Sequence, residues 1–204
     1  MNNIAVFCAD VGSIKQNKFG WAASYQDGIN SSGRSIEKFA QSIVDQLLAS
    51  KKVAIGFECP LFVPVRSDPL AVNTARNGEG NRSWSAGAGT GALATGLVEA
   101  LWVMNRVSEN LGKCPKATFN WLEFIKTDSV ILWEAFVTST AKGTGHAHDA
   151  EIAVSHFKDS LPNPEKINAI REPEVFSLIG AAALRAGWAN NVKILSEQCL
   201  VIKP

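Results

Sequence analysis

Two apolar runs, each closed by an acidic residue, constrain the fold of this chain more than any other feature. Residues 4–9 are apolar and lead into Asp10, and residues 53–57 are apolar and lead into Glu58. Unbroken apolar character is typical of strands that are covered on both faces, as in the parallel sheets of α/β proteins. We therefore expect two interior strands that each end in a carboxylate.

The residues between these runs predict how the two strands are joined. Residues 19–25 are typical of a second strand, and the turn signal Gln26-Asp27-Gly28 with a weaker strand from Ile29 completes an antiparallel meander. Residues 36–48 then place apolar side chains at helical spacing. A strand-helix-strand crossover makes the later strand parallel to a strand of the first sheet. Glu58 is therefore expected near Asp10, at the edge of the sheet where ligands bind.

The rest of the chain continues this pattern after one long interruption. Residues 66–91 are rich in Gly, Asn, Ser and Arg and predict a long loop. The remaining predicted elements are a helix at 93–111, a strand at 130–137, a polar loop at 138–145, a helix from about His146, a helix from Pro173 to Gly187 and an edge strand within 192–202. The predicted fold class is α/β, a mixed sheet with an antiparallel N-terminal meander plus parallel strands, flanked by helices.

Composition narrows the class of protein. The 204 residues suit one domain, 1–204, with a Gly/Arg-rich loop insertion at about 65–92. A net charge of +1 provides no overall attraction to nucleic acid or to a membrane, so such binding needs a local patch. Four cysteines without a C-x-x-C pair predict reduced thiols. No secretory signal pattern opens the sequence, and Glu99 interrupts its most apolar stretch, so we expect a cytoplasmic protein.

Three short motifs resemble those of a known superfamily. Asp10-Val11-Gly12-Ser13 is followed by Phe19-Gly20-Trp21-Ala22, and Glu58-Cys59-Pro60-Leu61 is followed by a second proline, Pro64. This order resembles the ribonuclease H-like superfamily, and within it a poorly characterised group of predicted nucleases, although the usual Asp is here Glu58. His146-Ala147-His148-Asp149-Ala150 is similar to the motif that opens a late helix in RuvC-type resolvases.

The resemblance implies a ribonuclease H-like domain that hydrolyses phosphodiesters with Mg²⁺ or Mn²⁺. It implies Asp10 as a bridging ligand, with Glu58 and Asp149 flanking it. The residue types agree with this chemistry, because hard divalent cations prefer oxygen ligands. Two such ions about 4 Å apart activate a water and stabilise the departing oxygen. His146 lies one turn before Asp149 on the same helical face and is a candidate general base or acid.

Candidate substrate contacts lie beside the first motif and in the Gly-rich loop. They are Ser13, Arg82, Trp84 and Gly89. Trp84 stands in polar sequence, where an indole ring can stack on a base or hold the loop. Arg66 and Arg76 are further candidates for phosphate contacts, although a solvated loop explains these arginines equally well. The expected partner is nucleic acid or a nucleotide, and no membrane.

The same residues allow other interpretations. Asp10 can form a side-chain-capped turn with Gly12 and Ser13, and Asp149 can be a helix N-cap. A different function keeps the fold but makes the protein a non-catalytic module for a nucleotide or phosphorylated ligand, bound by the Gly-rich segment 85–91 that precedes a helix. A reduced relative of the sugar-kinase and actin-like ATPases ranks last, because those folds duplicate the domain and this length leaves no room for a second copy.

Overall fold

Nine strands and five helices make up the regular structure of the computed structural model, which describes residues 4–138 and 141–204. The strands are β1 (Ile4–Asp10), β2 (Gly20–Ser24), β3 (Ser31–Gly33), β4 (Lys52–Glu58), β5 (Phe62–Pro64), β6 (Lys116–Thr118), β7 (Ser129–Ala135), β8 (Val175–Ser177) and β9 (Leu200–Ile202). The helices are α1 (Ile36–Leu48), α2 (Ala88–Leu111), α3 (Trp121–Lys126), α4 (His146–Asp159) and α5 (Leu178–Arg185).

A mixed sheet of seven strands is the centre of this described part of the chain. Its order is β3-β2-β1-β4-β7-β6, and β9 shares the outer edge of β7 with β6. β2 is antiparallel to β1 and to β3, whereas the remaining pairs are parallel. β5 and β8 form a separate antiparallel pair. The predicted α/β class, with an antiparallel meander leading into parallel strands, is confirmed.

Helices cover both faces of the sheet, and this explains the unbroken apolar run of β1. Ala5, Phe7 and Ala9 pack into one core with buried residues of α1, α2 and α5. Val6 and Cys8 pack into a second core with buried residues of α3 and α4. Because successive strand side chains point to opposite faces, every position of β1 is buried and apolar until Asp10.

Several predicted boundaries agree closely with the structure. α1 begins at Ile36, where the Ser35 side chain accepts a hydrogen bond from the Lys38 amide and so caps the helix. β4 ends at Glu58, because the following Pro60 cannot continue a strand in the sheet interior. No strand or helix occurs between Pro64 and Ala88, but the loop predicted at 66–91 ends earlier than expected, because α2 begins at Ala88 and includes Gly89 and Gly91.

The prediction of the last helix is wrong at its start. Residues 175–177 form β8, which pairs with β5, and α5 begins only at Leu178. The Ser177 side chain accepts a hydrogen bond from the Gly180 amide, so the helix is capped four residues after Pro173. The predicted edge strand is shorter than expected, because residues 192–196 form a 3-10 turn and only β9 joins the sheet.

Four short elements of the structure have no counterpart in the elements expected from the sequence. β5, β6, β8 and α3 were not predicted, because each has six residues or fewer and too little periodicity to be detected.

The four cysteines are free thiols, as expected. Within the described ranges, no helix has the length and apolar character needed to cross a bilayer. Residues 139 and 140 of the predicted polar loop, and residues 1–3, lie outside the described part.

Candidate metal centre

Three carboxylates from three separate elements meet at the C-terminal edge of the parallel strands. Asp10 ends β1, Glu58 ends β4, and Asp149 lies in the first turn of α4. One oxygen from each lies within 4.8 Å of the others. Asp10 and Asp149 are only 6% and 5% exposed, so this cluster, the acidic trio, is buried rather than solvated. The structure therefore brings together the three acids that the motifs singled out.

Sheet register explains why two of these acids share a face. Asp10 is paired directly with Glu58 in the parallel ladder between β1 and β4. Counting back by two from each residue leads to Cys8 and to Gly56, which face α4. Both carboxylates therefore point toward the helix that carries Asp149.

Gly20 sets the distance between the sheet and α4. It pairs with Asp10 across the antiparallel ladder, and a Cβ built on it would lie 2.3 Å from the Ala147 amide nitrogen. No side chain fits in that space, so the first turn of α4 packs directly on the β2 backbone. The Gly-Trp-Ala motif thus has a structural role, because it lets Asp149 approach the ends of β1 and β4.

A small set of polar contacts surrounds the acidic trio. His146 Nδ1 lies 2.5 Å from Asp10 Oδ2. The Gly143 amide donates to Asp149 Oδ1 at 2.5 Å, and Lys142 Nζ lies 3.8 Å from Glu58 and 3.7 Å from Asp149. Lys142 is half exposed, which weakens its charge compensation through solvent screening.

Electrostatics indicate a deficit of positive charge at the centre of the trio. Burial, reinforced by the negative charge of Asp10, raises the pKa of Glu58 to about 9. Burial also raises the pKa of Asp10, although its contact with His146 opposes the shift. Glu58 Oε2 is buried and accepts no hydrogen bond from any described residue. Two adjacent buried carboxylates are costly when both are ionised, and a bound cation removes that cost.

A fourth acid, Glu99, lies close to the trio and was not selected from the sequence. It is 7% exposed on α2, and its Oε2 accepts the Gly12 amide at 3.4 Å. Burial raises the pKa of Glu99 to about 7, the Gly12 amide opposes that shift, and the charge of Asp10 adds to it. The sequence signal for Glu99 is a single carboxylate within the apolar stripe of a long helix, which argues against a membrane span but does not by itself point to the trio.

Asp10 and Glu58 of the acidic trio line a cleft of about 860 Å³. Its lining includes Asp10, Glu58, His146 and Lys142, and residues between 79 and 92, from the end of the long loop and the start of α2, contribute a further wall. Residues 134–138, which follow β7, complete the lining. The volume lies within the range of roughly 300–1,000 Å³ that is typical of small-ligand sites.

The four candidate substrate contacts lie at different places relative to this cleft. Arg82 and Gly89 line it, and Gly89 is constrained because a Cβ there would lie 2.3 Å from the Ser83 carbonyl oxygen. Ser13 is exposed, and its hydroxyl accepts the Gln16 amide at 3.3 Å. Trp84 is half buried, and its indole N–H donates to the Thr74 carbonyl at 3.0 Å. Contact of these residues with a substrate stays a prediction.

Two arginines of the long loop serve the fold instead of a ligand. Arg76 is buried and makes a two-point ion pair with Glu134, at 2.8 and 2.6 Å, which also explains the lone charge in β7. Glu134 occupies the face opposite to Glu58, because it is in register with Phe57. Arg66 pairs with buried Glu172 at 2.6 Å. The suggestion that Arg76 contacts phosphate is therefore wrong.

The simpler structural roles considered for two acids are also not observed. Asp10 accepts no hydrogen bond from Gly12 or Ser13, because Glu99 accepts the Gly12 amide and Ser13 caps its own turn. Asp149 is not the N-cap of α4, since the helix begins at His146 after Gly145. Its carboxylate instead accepts the amide of Gly143, which holds the preceding loop against the trio.

Comparisons of the chain with protein-family models, with curated proteins and with solved structures give no match. The mixed sheet and the buried acidic trio are nevertheless compatible with the ribonuclease H-like resemblance of the motifs. The functional argument therefore depends on the chemistry of the site itself.

Proposed function

We propose that the protein is a metal-dependent phosphodiester hydrolase of the ribonuclease H-like type, with Mg²⁺ or Mn²⁺ held by Asp10, Glu58 and Asp149. One observation carries the proposal: three carboxylate oxygens from three elements lie within 4.8 Å of one another, and two of these residues, Asp10 and Glu58, line a ligand-sized cleft. Carboxylates at the ends of parallel strands are well placed for catalysis, because ligands of open α/β sheets bind there.

The donor set fits a hard divalent cation. All three ligands are oxygens, which Mg²⁺ and Mn²⁺ prefer over nitrogen or sulfur. Glu58 Oε2 has no hydrogen-bond donor in the described structure, so an acceptor is free for a cation. When bound, the metal supplies Lewis acidity and lowers the pKa of a coordinated water.

The surrounding residues have distinct tasks in this reaction. The contact between His146 Nδ1 and Asp10 fixes the imidazole ring, so that Nε2 is the atom available to accept or deliver a proton. Lys142 offsets part of the charge of Glu58 and Asp149. The Gly143 amide orients Asp149, and the buried position of the trio limits competition by bulk water.

Calorimetric titration with Mn²⁺ tests the proposal directly. Wild type should bind Mn²⁺, and Glu58→Gln should lose at least tenfold in affinity because one anionic ligand is removed. Glu174→Gln, at an exposed position outside the cleft, is the matched control and should bind as wild type does. Equal Mn²⁺ affinity in wild type and Glu58→Gln contradicts the proposal.

A non-catalytic module for a phosphorylated ligand is the second candidate. The observation that favours it is that α2, a helix of 24 residues, begins among residues that line the same cleft, as Arg82 also does. The positive end of a helix attracts anions. This candidate predicts that phospholigand binding survives Asp10→Asn and does not depend on Mn²⁺, whereas the hydrolase predicts that activity is lost.

A further inference from the structure

The wall that residues 79–92 contribute to the cleft is fixed to the body of the protein through the residues just before it. Arg76 ties this part of the chain to Glu134 at the end of β7 and to Glu79 at 3.1 Å, and all three side chains are at most 2% exposed. Such a buried ion pair is strongly unfavourable to break, because each separated charge stays in a low-dielectric environment.

A second attachment, at Asn77 and Gly78, holds the same wall. The Asn77 amide donates to Glu172 Oε1 at 2.6 Å, and Glu172 also pairs with Arg66. Gly78 packs so closely that a Cβ there would lie 2.1 Å from the Ala169 carbonyl oxygen. A ligand that displaced this wall would lose a factor of at least about 100 in affinity, given the penalty for breaking a buried pair.

Buried carboxylates and a fixed wall in one cleft restrict the shape of the ligand. The reacting phosphodiester must reach carboxylates that include Asp10 and Asp149, which are only 6% and 5% exposed, from a cleft of about 860 Å³. An isolated nucleotide unit can enter a space of this size. A base-paired duplex presents its phosphates on a broad rigid surface, and enzymes that act in such pockets take single-stranded or extruded nucleotides.

The charge of the cleft also favours a short ligand. Among its described residues, the cations are Lys18, Arg82 and Lys142, besides His146. Lys142 already lies within 4 Å of Glu58 and Asp149, which leaves Lys18 and Arg82 for phosphate. Proteins that hold duplexes neutralise many phosphates, roughly 6–10 in strong cases. Two available cations match one or two phosphates.

Part of the cleft lining is apolar and suits an unpaired base. Val11, Pro60, Phe136 and Val137 contribute to it together with several alanines. An exposed base brings a flat apolar ring that buries well against such a surface, whereas a paired base is already stacked. Charged and apolar groups in one cleft therefore match the phosphate and the base of a nucleotide.

From the fixed wall, the few cations and the mixed charged and apolar lining, we propose that the cleft takes an unpaired, nucleotide-sized phosphodiester, either a dinucleotide or the end of a single strand, and excludes intact duplex. The proposal deepens the hydrolase assignment of the same site and rests on it. Arg82 is the residue that contacts the phosphate next to the reacting one.

Fluorescence anisotropy with Ca²⁺ in place of Mg²⁺ tests this preference without requiring turnover. The probes are a labelled octathymidylate single strand and a labelled blunt hairpin duplex, measured at one fixed salt concentration. The single strand should bind at least tenfold more tightly than the duplex. Unlabelled dithymidylate should displace it if the dinucleotide is a ligand, and displacement only by longer strands assigns the site to strand ends.

Variants separate a specific contact from general electrostatics. Arg82→Ala should weaken single-strand binding at least threefold, whereas Arg34→Ala, which removes an exposed arginine outside the cleft lining, should change it less than twofold. Duplex binding as tight as single-strand binding, or no binding of any probe, overturns the proposal. If Mn²⁺ still binds in a Glu58-dependent way, only this proposal fails, and if Mn²⁺ does not bind, the proposed function fails with it.

Discussion

At the scale of single residues, Glu58 bears most of the electrostatic cost of the site. Its carboxyl group is buried beside Asp10, and its nearest positive charge is the half-exposed Lys142 at 3.8 Å. The raised pKa of about 9 means that the metal-free folded protein keeps a proton on Glu58 at neutral pH, whereas the unfolded chain releases it near the ordinary value of 4.5. Folding of the metal-free protein is therefore coupled to proton uptake.

This coupling predicts how the stability of the metal-free protein depends on pH. Because the pKa of Glu58 is raised on folding, its contribution is complete below pH 4.5 and is lost as pH rises toward 9. Glu99 contributes in the same direction only up to about pH 7. Between pH 7 and 9 in EDTA, the free energy of unfolding should fall by up to about 1.4 kcal/mol per pH unit.

Urea unfolding at closely spaced pH values measures this slope, and Glu58→Gln is the control. The variant carries no titrating group at this position, so its stability should be nearly constant over the same interval. Parallel pH dependence in wild type and variant would mean that another group is responsible.

At the scale of elements, the site depends on how closely α4 packs on β2. Gly20 faces the backbone of His146 and Ala147 in the first turn of α4, one turn from Asp149. The helix supplies both Asp149 and His146, so its distance from the sheet sets the geometry of the whole trio. A small displacement of α4 separates Asp149 from the two strand-end acids.

We therefore expect Gly20→Ala to damage metal binding and stability together. The added methyl group overlaps the Ala147 amide, and such overpacking typically costs about 1–3 kcal/mol of folding stability. Mn²⁺ affinity should fall at least tenfold in the same calorimetric titration. Gly91→Ala is the matched control, since a Cβ there has no neighbour within 4 Å and the change favours the helix. Unchanged Mn²⁺ affinity in Gly20→Ala would contradict this role.

The ion pair of Arg76 predicts a second effect at this scale. Arg76→Met leaves Glu134 and Glu79 buried without a positive partner, which should reduce the free energy of unfolding by about 3–5 kcal/mol. The triple variant Arg76→Met, Glu79→Gln, Glu134→Gln removes the unpaired charges and should recover a large part of that loss. Denaturant unfolding measures both. A triple variant as unstable as the single one would show that the ion pair is not the cause.

The sequence could predict the elements that carry two of the acids, but only part of their surroundings. The apolar runs before Asp10 and Glu58 identify buried strands, and a crossover connection makes them parallel neighbours. Asp149 was selected through the resemblance of its motif, since periodicity alone favours a helix cap. The pairing of Arg76 with Glu134 spans 58 positions, and nothing local distinguishes it from a solvated charge. Glu99 lies near the site because α2 packs beside the turn after β1, and this long-range contact has no local signal in the sequence.

At the scale of the whole molecule, the acidic trio unites distant parts of the chain, because its members lie in the first strand, in the parallel strand after α1 and in α4. A site that presents all three carboxylates to one ligand exists only in the folded state. Metal binding therefore stabilises the complete fold by mass action.

Thermal unfolding with and without Mn²⁺ measures this stabilisation. At a free concentration of about 100 times Kd, the gain should be about 2.7 kcal/mol, which corresponds to a rise in Tm of roughly 5–10 °C for a chain of this size. Removal of the ion with EDTA should reverse the rise. Glu58→Gln should show little or no increase, and a similar rise in that variant would place the Mn²⁺ elsewhere.

The sheet ends on both sides in very short strands. β3 is the edge strand on one side. On the other side, β6 and β9 each pair with a different part of the outer edge of β7. All three of these edge strands have three residues. Strands of this length expose few unpaired backbone amides and carbonyls, so another polypeptide finds almost no template on which to extend the ladder. The architecture therefore protects a strongly apolar β-structure against fibrous self-assembly without requiring charged or proline residues along its borders.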